Sequence, residues 1–319
     1  MKLNSSMLVS LLAILLSTTL SFMSNNWLIM WILMEINLFM FIPLMSKNKI
    51  NDQSIKYFII QSFSSHLLIF SMLMSSILIL PMKSSLLILT AMLIKIGMSP
   101  FHIWMPEIMA KMNWNECFMM STVIKITPMI LISKTTSYKL LMMPMILSLI
   151  SGSVSGMNQF NLKKIMAFSS IFNISWMATS FFMSKKILFM FVMIYLTLTM
   201  KVMNFFKKKS ILYKNQMNHL KMKEKLKINL IMLSLMGLPP LMGFLPKWMI
   251  LKELMHKSNL LSWFMILTSM MSIFMYIQVN SNYLTNFSLK KKNIKNVNMI
   301  SFKLINVTLI VMCFMIWID

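Results

Sequence analysis

Glu35 stands in WILMEINLFMF, Lys95 in AMLIKIGMSPF, Lys125 in STVIKITPM and Lys247 in GLPPLMGFLPKWMIL. Each is an ionisable side chain in a run otherwise fit for lipid. Lys201, in TLTMKVMNF, and His66, in SFSSHLLIF, have similar surroundings. A charge at mid-bilayer costs about 2.5–3.5 kcal/mol on insertion scales, so the set would cost roughly 10–15 kcal/mol facing lipid. These groups must therefore face protein or water. Lysine suits proton chemistry there, because desolvation pulls an amine towards neutrality and a nearby carboxylate pushes it back. An acid–lysine pair joined to further lysines across helices makes a row of sites that hold or release a proton. That reading assigns Glu35, Lys95, Lys125 and Lys247 to a proton relay, with Lys201, His66, His102 and Asn173 as lesser candidates. Blander readings stand beside it. The Glu35–Lys95 pair can serve structure alone, Lys201 can snorkel to the surface, and His66 can be a hydrogen-bonded interior histidine.

Two of these lysines stand beside signals that break a helix. Gly97, Ser99 and Pro100 follow Lys95, and Gly237, Pro239, Pro240, Gly243 and Pro246 precede Lys247. Gly/Pro-interrupted apolar segments in corresponding places point to a transporter built from repeated halves. A break frees backbone carbonyls and amides at membrane depth, where only protein interior or water can satisfy them. Such a break is expected to open a polar pocket in which the lysine can titrate; a packing kink is the simpler alternative for either segment alone. The run LKKIMAFSSIFNISWMATS (162–180) adds Ser169, Ser170, Asn173 and Ser175, which can bridge water or join helices.

The elements that must carry these residues follow from the apolar runs. The 319-residue chain is 58% hydrophobic with a mean hydropathy of +0.73, above the roughly 45–50% apolar content of soluble domains. Runs long enough to cross about 30 Å of hydrocarbon are expected at 3–23, 27–45, 57–80, 85–104, 118–133, 140–158, 164–183, 187–206, 228–251, 260–282 and 300–318. The fold class is therefore all-α and polytopic, with about eleven spans and no loop long enough to fold as a domain. The first apolar run lacks a small-residue cleavage site and does not read as a signal peptide. Lysines concentrate on the side that holds Lys2 and the joints 46–56, 105–117, 159–163, 207–227 and 283–299. The positive-inside rule puts that side in the compartment of synthesis, and Lys163 and Lys164 mark an end of their span there. The loop KKKSILYKNQMNHLKMKEKLK reads as a solvated basic connector, with anionic-lipid contact as a second use.

Other chemistries are poorly supported. The net charge is +24, yet all 31 basic residues are lysine; a nucleic-acid binder would use arginine for bidentate contacts. Cys117 and Cys313 suit neither a disulfide framework nor a metal site. There is no Walker loop, no GxGxxG and no histidine pairing for haem or copper.

Three stretches together, IKIGMSPFHIWMPEIMA, LKKIMAFSSIFNISWM and GLPPLMGFLPKWMIL, resemble signatures of the antiporter-like membrane subunits of respiratory complex I. The resemblance covers nearly the whole chain. It implies two inverted five-helix repeats, about 1–135 and 139–283, each with one discontinuous helix, and a final helix at about 299–318. Bacterial relatives carry fourteen helices, so the first three would be missing here. It also implies that the family's acid falls on Glu35, its partner on Lys95, the connecting lysine on Lys125 and the terminal lysine on Lys247. Asn173 stands where many relatives have histidine, which leaves a water-ordering role there. The implied function is proton translocation within an H+-translocating NADH:ubiquinone reductase, this chain holding no redox centre. The complex as a whole uses NADH, FMN, iron–sulfur clusters and ubiquinone. Implied partners are other membrane-arm subunits, including the antiporter-like subunit 4 and the small subunit 4L, and phospholipids such as cardiolipin, with no nucleic acid. A stand-alone cation/proton antiporter shares the same features, and a structural scaffold that no longer pumps is a third reading. The 43 methionines suit an A+T-rich gene in which ATA is read as methionine. The expected location is therefore the mitochondrial inner membrane, and the lysine distribution over eleven spans puts the N-terminus in the matrix and the C-terminus in the intermembrane space.

Overall fold

The computed structural model describes residues 5–46, 52–77 and 81–289. The expected span 300–318 and Cys313 lie outside the described residues. Thirteen α-helices follow in chain order within them: α1 (Ser5–Met23), α2 (Trp27–Met45), α3 (Asp52–Ile77), α4 (Pro81–Ile96), α5 (Trp104–Lys111), α6 (Trp114–Ser121), α7 (Val123–Thr135), α8 (Tyr138–Met157), α9 (Leu162–Phe182), α10 (Lys185–Lys209), α11 (Met222–Met236), α12 (Phe244–Met255) and α13 (Asn259–Leu289). One 3-10 turn, Lys214–His219, and one isolated antiparallel bridge, Asn161 to Tyr213, tie down the basic connector. Seven stretches, counting α6 with α7, are long and apolar enough to cross a bilayer, and the apolar helices Met7–Met23 and Ser85–Ile96 are shorter.

The two expected breaks are present and use one device. α4 ends at Gly97 with φ +76°, and α11 ends at Gly237 with φ +81°. Only glycine takes that left-handed conformation cheaply, and proline shortly afterwards prevents the helix from resuming. The freed carbonyls find side-chain donors. Trp104 Nε1 donates to Ile94 O at 3.2 Å and Gln61 Nε2 to Lys95 O at 3.1 Å. At the second break, Lys247 Nζ donates to Met236 O at 2.7 Å and to Leu235 O at 3.5 Å. The chain doubles back closely here: a Cβ on Gly243 would land on the Ser234 carbonyl oxygen.

A third interruption was not expected. The run 118–133 is two helices, α6 and α7, jointed at Thr122 with φ −126° and ψ −78°. The Ser121 and Thr122 hydroxyls both donate back to Phe118 O, at 3.1 and 2.6 Å. Six residues on, Pro128 has no N–H for Ile124 O, and the Thr127 hydroxyl donates there at 3.4 Å instead. Lys125 therefore sits in a helical stretch weakened on both sides.

The centre of the bundle is α9, with 89% of its central window buried, flanked by α6–α7 at 78%; α3, at 28%, is peripheral. α9 packs on α5, α6, α7, α8, α10 and α12. The apolar core has two parts. One gathers Leu38, Phe41, Met105, Val123, Ile171, Leu198 and Met236; the other gathers Met34, Ile96, Ile126, Phe172, Val192 and Ile250. At α2, at α7 and at the second break the two parts meet beside polar residues singled out above. Glu35 falls between Met34 and Leu38, Lys125 between Val123 and Ile126, and Lys247 between Met236 and Ile250. Glycine-to-alanine changes test this packing. Gly243→Ala meets backbone and should cost more than the roughly 1–3 kcal/mol usual for overpacking. Gly156→Ala meets no backbone, only the flexible Met275 side chain and, at 3.3 Å, the Phe168 Cβ, and should stay within that range. The ranking is read from melting temperature and abundance of the membrane-inserted protein.

Candidate functional site

The junction between the two core parts holds a row of polar groups. It begins on α2 and α4, where Lys95 Nζ lies 3.1 Å from Glu35 Oε1, with side-chain exposures of 5% and 16%. Lys95 is the last-turn residue of α4, so the break after Gly97 ends its helix one residue further on. Next to it is an internal cavity of about 20 Å³ lined by Asn37, Tyr57, Gln61, Lys95, Lys125 and Thr127 among others, enough for about one water. Asn37 is held from both sides: the Ser17 hydroxyl donates to its Oδ1, and its Nδ2 donates to Thr127 Oγ1 at 3.3 Å. The cavity thus has Lys95 on one wall and Lys125 on another, with fixed amides between them.

Lys125 is buried and has no ion-pair partner among the described residues. Its Nζ donates to Met105 Sδ at 3.0 Å and to Ser170 Oγ at 3.4 Å. Ser170 lies on α9, and Asn173 follows it one turn later on the same helix face, about 4.5 Å along the axis. Asn173 lines a second cavity of about 20 Å³ together with Tyr195, Gly243, Pro246 and Lys247. Lys247 is buried there over the faces of Phe172 and Trp176, 5.2 and 5.3 Å from their centroids, with its ammonium on the last carbonyls of α11. A cation at a helix C-terminus is favoured by the helix dipole, and the two rings add cation–π attraction.

The row therefore runs Glu35, Lys95, Asn37 and Thr127, Lys125, Ser170, Asn173, Lys247. It sets five of the expected site residues in sequence, with hydrogen bonds at some steps and, at others, a shared helix face or one of two small cavities with room for about one water each. His102 lies beside it, in the first break. Ser99 Oγ is 3.2 Å from His102 Nδ1 and 2.5 Å from Ser151 Oγ on α8, which ties the break to the second half of the chain.

Two expected residues stand elsewhere. His66 is exposed, its Nδ1 2.6 Å from Ser62 O. The buried face of α3 is Tyr57, Gln61, Ser64, Ser65, Leu68 and Ser71, and His66 falls off it, so the interior role expected for it is corrected. Lys201 is exposed on α10 and lines an outer groove. Lys163, expected with Lys164 to mark an end of its span, does stand in the first turn of α9 but is buried. Its Nζ donates to Met112 O at 2.5 Å, just past the end of α5, and lies 5.8 Å from the Trp114 ring centroid. No sequence signal separated it from Lys164. Asn37 and Thr127 were also missed, though both lie within two residues of a singled-out charge. No group of three or more His, Cys, Asp or Glu residues able to hold a metal occurs among the described residues.

Comparison with known proteins gives a consistent likeness. The pattern described as NADH:quinone oxidoreductase/Mrp antiporter, transmembrane, matches residues 24–272. NADH-ubiquinone oxidoreductase chain 2 of Anopheles gambiae is 34% identical over 97% of this chain and 97% of its own length. The protein of that name from Locusta migratoria is 36% identical over 87% of this chain and 85% of its own. Among solved structures, a chain of respiratory complex I from Thermus thermophilus superposes with a TM-score of 0.78 at 19% identity. It covers 87% of this chain and 70% of the other.

The ion pair makes a stability prediction. Removing one member of a buried pair strands the other charge, at about 3–5 kcal/mol. Glu35→Gln and Lys95→Met should each lower the melting temperature, and the double variant should melt above either single one. Additive losses in that cycle would mean the two side chains are not coupled.

Proposed function

Because this chain belongs to the family of NADH:quinone oxidoreductase and Mrp antiporter membrane subunits, alongside NADH-ubiquinone oxidoreductase chain 2, we propose that it is a membrane-arm subunit that moves protons across the mitochondrial inner membrane through the Glu35–Lys247 row. Electron transfer from NADH to ubiquinone elsewhere in the complex supplies the drive. Moving each proton against the membrane potential takes about 2.3 kcal/mol per 100 mV, which nothing in a static row provides. NADH, FMN, iron–sulfur clusters and ubiquinone belong to the rest of that complex. The neighbouring membrane-arm subunits, subunit 4 and subunit 4L among them, are the partners of this reading.

The observation that carries it is the burial of Lys125 without a carboxylate. A buried amine with no anion is costly, and apolar side chains of similar size would serve stability better. Its retention in the centre of the bundle is explained by a task in which the charge comes and goes. In that task Lys95 receives a proton from the matrix side, and Glu35 holds it by the 3.1 Å contact. Relaxing that contact releases the proton into the first cavity, where water beside the Asn37–Thr127 pair relays it to Lys125. Ser170, Asn173 and the second cavity lead on to Lys247, the outlet or the link to the next subunit. Charge on one lysine disfavours charge on its neighbour, so protonation states alternate along the row.

The two breaks support the repeat architecture, with halves at about 1–135 and 139–283. Each has an apolar helix ended by a left-handed glycine, proline soon after, and a buried lysine nearby. The lysine-rich joints support a matrix-side N-terminus.

Lys125→Met separates this reading from a scaffold. In the assembled complex it should raise the melting temperature, because it removes an unpaired buried cation, and lower the number of protons moved per electron pair. A variant that melts higher and pumps normally would remove Lys125 from the path.

A further inference from the structure

Between α10 and α11 lies a groove of about 620 Å³ with two unlike ends. One end carries Lys201 and Lys208 on α10 and Lys227 on α11. All three are exposed, and none has a side-chain hydrogen bond or ion pair among the described residues. Lys201 and Lys208 are seven residues apart, so they share a helix face about 10.5 Å apart along the axis. The two helices run in opposite directions, and Lys227, about 7.5 Å along α11 from its start, comes in between those two levels. Glu224, the acidic residue of α11, is already paired with Lys209. The rest of the groove is mainly apolar, lined by Ile194, Leu198, Leu230, Ile231, Leu241 and Met242, with Thr197, Asn204 and Ser234 as its uncharged polar members.

We propose that this groove holds one anionic phospholipid, its phosphate on Lys201, Lys208 and Lys227 and an acyl chain along the apolar wall. Three unpaired cations on an apolar slot between spanning helices match the chemistry of an anionic headgroup with a hydrocarbon tail. The end of the chain is a poor occupant by charge. The apolar run 300–318 is preceded by Lys290, Lys291, Lys292 and Lys295, which would bring cations to cations. The lipid's tail would end against Leu241 and Met242, in the linker between α11 and α12, and brace the second break from outside. None of the row's lysines lines this groove, so the inference stands whether or not the row conducts.

The test uses the assembled complex, stripped of lipid and returned to phosphatidylcholine bilayers containing phosphatidylglycerol as the anionic probe. Phosphatidylglycerol retained after detergent washing is counted by mass spectrometry. The triple variant Lys201→Gln, Lys208→Gln, Lys227→Gln should retain about one fewer per complex, and the triple lysine-to-arginine variant should keep it. Leu230→Trp leaves every charge in place but fills the slot, and should lose the same lipid. It decides the matter alone if the triple variant does not assemble. Unchanged retention in Leu230→Trp overturns the proposal. So does cross-linking of the groove to a protein helix, from this chain or a neighbour.

Discussion

Hydrocarbon offers no hydrogen bonds, so every charge and every freed backbone group at membrane depth must be satisfied inside the protein. The rest of this structure follows from that constraint. Breaking α4 and α11 frees carbonyls, and the donors that reach them are Trp104, Gln61 and Lys247. One residue thereby serves two ends: Lys247 cannot face lipid, and the end of α11 cannot face lipid, so each shelters the other. The same economy recurs at the end of α5, where Lys163 covers Met112 O.

The constraint also explains why the core has two parts rather than one. Apolar side chains pack tightly above and below a level at which polar groups must find each other. That level cuts across α2, α7, α9 and the two breaks, so polar groups from distant parts of the chain converge there without any continuous polar helix. α9 supplies the middle of the row because it is the helix most fully surrounded. Its Ser170 accepts from Lys125, and its Asn173 lines the cavity that holds Lys247.

Much of this could be read from the sequence, and the part that could not has a physical cause. The apolar helices, both glycine–proline breaks and the place of Glu35, Lys95, Lys125 and Lys247 within apolar runs follow from hydropathy and from the backbone limits of Gly and Pro. Depth, however, says nothing about which way a side chain points when a helix is apolar on all sides. α2, α7, α8 and α9 have little amphipathic contrast, so only packing picks their inner faces. His66 is a different case: α3 buries its Tyr57–Gln61–Ser64–Leu68–Ser71 face and turns Ile59, Phe63 and Phe70 outward, and His66 lies off the buried face. The joint at Thr122 has no glycine or proline at the break itself to announce it, only two hydroxyls returning to one carbonyl. Lys163 and Lys164 are adjacent and identical in type, and nothing short of the fold distinguishes the buried one.

The cap at the end of α11 has a property that its geometry makes available. An ammonium carries three N–H bonds, and an uncharged amine still carries two. Two carbonyls, Met236 O and Leu235 O, face Lys247. Discharging this side chain would thus weaken its attraction to the helix end while leaving enough donors to keep both oxygens covered. The architecture at that point can tolerate an empty seat without unravelling.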